Sequence, residues 1–116
     1  MVGSLIAHEL SNDYRVTVFD NTELNLENVE TIVQDVTSED FKNTINEYNI
    51  AINCLPGFMG FKMLETLIDL EISCVDISFM PEDCLSLVHK ASEKNCTAIP
   101  DAGVAPGLSN LIIGNI

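Results

Sequence analysis

Short apolar runs recur about every 20 residues along this chain, with helix-patterned segments between them. The runs fall at residues 14–19, 29–36, 50–55, 74–79 and 96–99. Each is too short for a buried helix, and most are bounded by Asp, Asn, Gly or Pro, which marks strands. Between them, Phe41, Ile45 and Tyr48 line one helical face, and Met63, Leu64, Leu67 and Ile68 line another. Val2, Leu5, Ile6 and Leu10 form a first helix that ends at Ser11-Asn12-Asp13. Continuous apolar strands joined by helices imply a parallel sheet covered on both faces. A leucine-rich solenoid shares the period, but its leucine–asparagine consensus is missing.

Local signals refine this order. Residues 21–28 read as a loop or short helix. Thr37-Ser38-Glu39-Asp40 has the capping-box pattern at a helix start. Pro81 is expected to open a helix, with Glu82 and Asp83 in its first turn and Lys90 and Lys94 near its end. Residues 108–116 read as a last helix.

Composition excludes several functions. With 116 residues, 47% of them apolar, the chain can bury the core of one small domain. The net charge is −13, and Arg15, Lys42, Lys62, Lys90 and Lys94 are the cations, which argues against a nucleic-acid partner. No apolar run approaches the roughly 18–20 residues of a membrane span, and the start lacks the basic residues of a signal peptide. Cys54, Cys74, Cys84 and Cys96 form no Cys-x-x-Cys pair, so no metal site is expected and a cytoplasmic location fits. Asn95-Cys96-Thr97 matches a glycosylation sequon but has no secretory context.

In a doubly wound sheet, ligands lie outside the carboxyl ends of the strands. Those ends carry Asp20, Asp35-Val36, Cys54-Leu55-Pro56-Gly57, Asp76-Ile77-Ser78-Phe79 and Asp101-Ala102-Gly103. Each is also an ordinary turn residue, and the set as a whole points to a nucleotide-type site. Asp20 ends an apolar strand that follows a helix starting at Gly3. An acid there, about 20 residues past a glycine turn, accepts hydrogen bonds from an adenosine ribose. Asn21, Thr22 and Glu23 follow with no cation until Lys42, which favours NAD over NADP. Gly57 and Gly60 allow close backbone approach to a ligand. Phe58 and Phe61 fit either a cofactor pocket wall or the core. The helix start near Gly107 is expected to offer free amides to an anion or carboxamide. His8 and His89 have no partner at ligand spacing, and Lys62 fits a solvated helix position better than a substrate contact.

Three segments carry a resemblance. They are residues 54–62 (CLPGFMGFK), 75–82 (VDISFMPE) and 101–110 (DAGVAPGLSN). In this order and spacing they resemble the saccharopine dehydrogenase family, most of all its L-lysine dehydrogenase-like branch. The resemblance implies a Rossmann-type doubly wound parallel sheet, followed in the complete protein by a catalytic and dimerisation domain. It implies hydride transfer between NAD(P) and the C–N centre of an amino acid. In the lysine branch, the side-chain amine becomes an imine, which hydrolyses to a semialdehyde that cyclises. By motif position, Met1, Val2 and Gly3 match the end of the glycine turn, and Asp20 matches the ribose acid. Asp35-Val36, Leu55-Pro56-Gly57 and Asp76-Ile77-Ser78 match cofactor-contacting strand ends, and Asp101 opens the third motif.

The chain also departs from the family pattern. The first strand and the first two glycines of Gly-x-Gly-x-x-Gly are missing. The strands beside that slot must then close it or stay apart. Ala105 stands where the saccharopine reductase branch has an acid, which weakens saccharopine as substrate. The expectation is therefore a partial dinucleotide-binding domain over residues 1–116, lacking its first strand and its catalytic domain, and inactive alone. Its partners would be a small amino-acid substrate and, in the complete protein, a second copy. Two other readings stay open: an S-adenosylmethionine-dependent methyltransferase, and a non-catalytic truncated fragment.

Overall fold

The computed structural model describes residues 2–115. The chain divides into two compact units, Met1–Ile45 and Asn46–Ile116. Both follow the alternating pattern that the sequence implies.

The first unit holds α1 (Val2–Leu10), β1 (Thr17–Asp20), β2 (Glu30–Val33) and α2 (Glu39–Ile45). β1 and β2 pair in parallel, with Thr17 opposite Glu30 and Asp20 opposite Val33. Phe19 of β1 meets Phe41 of α2 edge to face, ring centres 5.3 Å apart, the favoured geometry for an aromatic pair. Ala7, Phe41 and Ile45 are its buried apolar residues. Residues 21–28 form a loop rather than a helix. Ser38, not Thr37, caps α2, since its Oγ accepts from the Phe41 amide at 3.1 Å. The Thr37 hydroxyl instead donates to Asp35 at 2.7 Å. The helix stops at Ile45, before Tyr48.

The second unit holds β3 (Ile50–Asn53), α3 (Gly57–Asp69), β4 (Ser73–Asp76), α4 (Val88–Glu93), β5 (Ala98–Ile99) and α5 (Leu108–Gly114). Its strands pair in parallel in the order β3-β4-β5. Along β4, Cys74 and Asp76 are buried while Ser73 and Val75 are half-buried. Met63, Leu64, Leu67 and Ile68 of α3 are buried too, as their spacing predicts. The other sheet face is more open than the pattern suggests: Ile50 is 58% and Ile99 52% exposed.

α3 ends in a Schellman-type turn. Ile72 N–H bonds to Leu67 C=O at 2.9 Å and Glu71 N–H to Ile68 C=O at 3.0 Å, with Glu71 at φ 61°. Lys90 of α4 reaches back to Glu65 and Asp69 of α3 at 3.1 and 2.9 Å. Pro81 does not open the following helix. A 3-10 turn (Cys84–Leu87) comes first, capped by the Asp83 carboxylate, which accepts from the Leu85 amide at 2.9 Å. The short acidic side chain beats the proline because it supplies the acceptor an N-terminal amide lacks.

Candidate cofactor site

The same device recurs at three strand ends. Asp20 closes β1, and its Oδ1 accepts from the Thr22 amide at 2.9 Å and the Thr22 hydroxyl at 2.8 Å. Asp35, two residues past β2, does the same with Thr37 at 2.8 and 2.7 Å. Asp76 closes β4, and its Oδ1 accepts from the Ser78 amide at 2.7 Å and the Ser78 hydroxyl at 2.6 Å. Each is an Asp-x-Thr/Ser turn in which one carboxylate oxygen takes two donors. The Thr22 hydroxyl and amide hold the Asp20 carboxyl below the usual range, as Thr37 does for Asp35.

The three differ in what remains open. Asp20 is half-buried and Asp35 exposed. With Oδ1 pinned, the Oδ2 of Asp35 has no hydrogen-bond donor among the described residues, while the Asn21 amide also stabilises the Asp20 carboxylate. Asp76 is 0% exposed, and its Oδ2 accepts from the Asn53 side-chain amide at 2.5 Å. The side chains of Asp76 and Ser78 therefore turn inward. The same segment presents Phe79 to the surface, 74% exposed.

Asn53 is the residue that sequence reading missed. It lies opposite Asp76 in register, so both side chains leave the sheet on one face. Its Nδ2 also donates to the Gly60 carbonyl at 3.2 Å, and its Oδ1 accepts from the Leu55 amide at 3.2 Å. These partners fix the amide orientation: a carboxylate and a carbonyl need a donor, and an N–H needs an acceptor. The signal was present in the sequence. The Asp-x-Thr/Ser pattern appears three times, and Asn53 ends the strand before the Pro-Gly turn.

Leu55, Pro56 and Gly57 form the turn into α3. A Cβ at Gly57 would overlap the Phe79 carbonyl, and one at Gly60 would overlap the Ser78 hydroxyl. Both glycines thus serve close packing between the two strand-end turns, not only approach to a ligand. No side chain caps α3, which begins after Pro56. Phe58 is 82% exposed and so is not a core ring. Lys62 is exposed and paired with Glu65 at 2.8 Å.

The segment after β5 hangs on β4, with the Ala102 amide bonded to the Asp76 carbonyl at 2.9 Å. Asp101 is exposed, at φ 55°, and Gly107 has φ 130°. The expectation of free amides at the start of α5 is not met. Leu108 and Ser109 N–H bond to the Gly103 and Val104 carbonyls at 2.9 Å each, and Leu111 N–H to Gly107 at 3.1 Å. The loop folds back under the helix and consumes those donors. Val2 is exposed and Gly3 half-buried at the start of α1, and Met1 lies outside the described residues. Among the described residues, no group of His, Cys, Asp and Glu could hold a metal ion. None of the described helices is long and apolar enough to cross a membrane.

Residues 1–99 match the family model of the saccharopine dehydrogenase NADP-binding domain. The chain belongs to the saccharopine dehydrogenase family. The match spans β1 to β5, and with them Asp20, Asp35, the 53–60 turn and the 76–78 turn. It makes the chain α/β, with parallel strands alternating with helices as in a partial Rossmann-like NAD(P)-binding domain. Comparison with curated proteins gives no match. The family match over residues 1–99 is what sets the methyltransferase reading aside.

Proposed function

We propose that this chain binds NAD in preference to NADP, as part of an oxidoreductase acting on the C–N centre of an amino acid, with lysine the leading substrate. One observation carries the cofactor choice. Asp20 ends β1 half-buried, with Oδ1 pinned by Thr22 and its second oxygen, Oδ2, outside those two bonds. That atom suits a ribose 2′-hydroxyl, which donates, and repels a 2′-phosphate.

The two side-chain cations of the first unit are engaged elsewhere. Arg15 pairs with Glu30, which lies opposite Thr17 at the far end of β1, and Lys42 pairs with Glu39. In the second unit, the uncapped start of α3 offers amides for cofactor oxygens. Bound NAD supplies the hydride acceptor. The chain's own residues bind and orient it. In the complete protein a second copy is the expected partner.

The test is titration of the protein with NADH and with NADPH, followed by calorimetry. NADH is expected to bind at least about tenfold more tightly. Asp20→Ala should abolish that preference, weakening NADH and tightening NADPH. Tighter NADPH binding by the unaltered protein overturns the cofactor assignment. For the substrate, lysine-dependent NAD reduction by the complete protein supports the reading, and reduction with other amino acids alone refutes it.

A further inference from the structure

The cluster of Asn53, Asp76 and Ser78 lies beneath the two strand-end turns, not at the surface. Asn53 is 4%, Asp76 0% and Ser78 5% exposed. A carboxylate in such a place is costly unless donors surround it. Here all its partners are neutral donors: the Asn53 amide on Oδ2, and the Ser78 amide and hydroxyl on Oδ1. Every side-chain donor of the three residues is used on a partner in this turn region.

The partners lie on different segments. Asn53 holds the Leu55 amide, which starts the turn of residues 54–57, and the Gly60 carbonyl in the first turns of α3. Asp76 holds Ser78, which starts the turn of residues 77–80, and its carbonyl holds Ala102 in the loop after β5. The two turns also touch directly, Gly57 against the Phe79 carbonyl and Gly60 against Ser78. A shift of the Asn53–Asp76 bond therefore moves both turns together.

We infer that Asn53, Asp76 and Ser78 are positioning residues, which lock the 54–57 and 77–80 turns to one another and so set the surface these turns present to the dinucleotide. The inference rests on the dinucleotide-binding reading for its consequence, though not for its geometry. Asp76 acts as a buried hub, and what meets the cofactor is the backbone and exposed side chains of the turns it holds.

The experiment compares Ser78→Ala, Asp76→Asn and the exchanged pair Asn53→Asp with Asp76→Asn. Amide hydrogen exchange and NADH affinity are read on each. Asp76→Asn sets two amide donors against each other. The exchanged pair restores one donor facing one carboxylate and keeps acceptors for Leu55 and Ser78, losing only the bond to Gly60. Ser78→Ala and Asp76→Asn should speed exchange at Leu55, on the opposite turn, and raise the NADH Kd about tenfold. The exchanged pair should recover most of the affinity. A merely structural role would lower Tm without the recovery.

Unchanged exchange at Leu55 in Ser78→Ala, a mild change expected to fold, overturns the coupling. Unchanged NADH affinity with faster exchange at both turns overturns the cofactor consequence. An unaltered protein that binds neither NADH nor NADPH refutes the dinucleotide reading, while the exchange data still decide the coupling.

Discussion

Gly57 packs so closely on the backbone carbonyl of Phe79 that a Cβ at position 57 would overlap that oxygen. The contact joins the start of α3 to the turn after β4, backbone against backbone, with no flexible side chain to give way. Gly57→Ala is expected to destabilise the fold by about 3 kcal/mol, at the upper end of overpacking costs. Urea unfolding checks it. A loss below about 0.5 kcal/mol would show that the turns can separate freely.

Thr22→Val should raise the Asp20 pKa toward its ordinary value, because the Thr22 hydroxyl is the largest cause of the lowering. A depressed carboxyl pKa adds stability above the unfolded value of about 3.9, and loses it as pH falls through the folded value. The Tm gap between the unaltered protein and Thr22→Val should therefore be full near pH 6 and shrink as pH falls through the lowered Asp20 pKa. An NMR titration of Asp20 that shows no upward shift would refute this.

Cys74 should resist alkylation in the folded protein. Burial first, and the Asp76 carboxylate second, push its thiol up to about 12. At pH 8 only about one molecule in ten thousand carries the thiolate there, before access is considered. Iodoacetamide labelling read by mass spectrometry should modify Cys74 only on unfolding. Labelling as fast as that of the exposed Cys54 would contradict the buried placement.

Glu71 stands in the left-handed region at φ 61°, where glycine is the easier residue. Glu71→Gly is expected to stabilise by about 0.5–1 kcal/mol. The pair it gives up, with Lys94 at 3.3 Å, is largely exposed and weak. Thermal unfolding checks it, and a lowered Tm would mean the ion pair outweighs the backbone strain.

Leu64 is 1% exposed at the centre of the apolar face of α3. Leu64→Ala should cost about 2–5 kcal/mol through lost burial and the cavity left behind. A smaller loss in urea unfolding would show that the helix collapses onto the sheet.

Local rules made much of this readable in advance. The spacing of Met63, Leu64, Leu67 and Ile68 gave the buried face of α3, and the apolar runs gave the strands, though each proved shorter than its run. Asp20, Asp35 and Asp76 were legible as strand-end acids. Their environments were not, because burial depends on what packs over each strand end. The error at Pro81 had a local cause: a proline fits a first helical turn, but the Asp83 cap, directly before the 3-10 turn at Cys84, set the start.

The sequence by itself determined the alternation of strands and helices, the acidic surface and the identity of the strand-end residues. Periodicity and turn chemistry are local, and a chain displays them without folding. Only the tertiary structure decided that Asp20 stays partly exposed while Asp76, in the same Asp-x-Thr/Ser turn, is buried and sealed by Asn53. The difference comes from register. A neighbouring strand places an amide opposite Asp76, and burial then turns an acid that looks like a ligand contact into part of the frame.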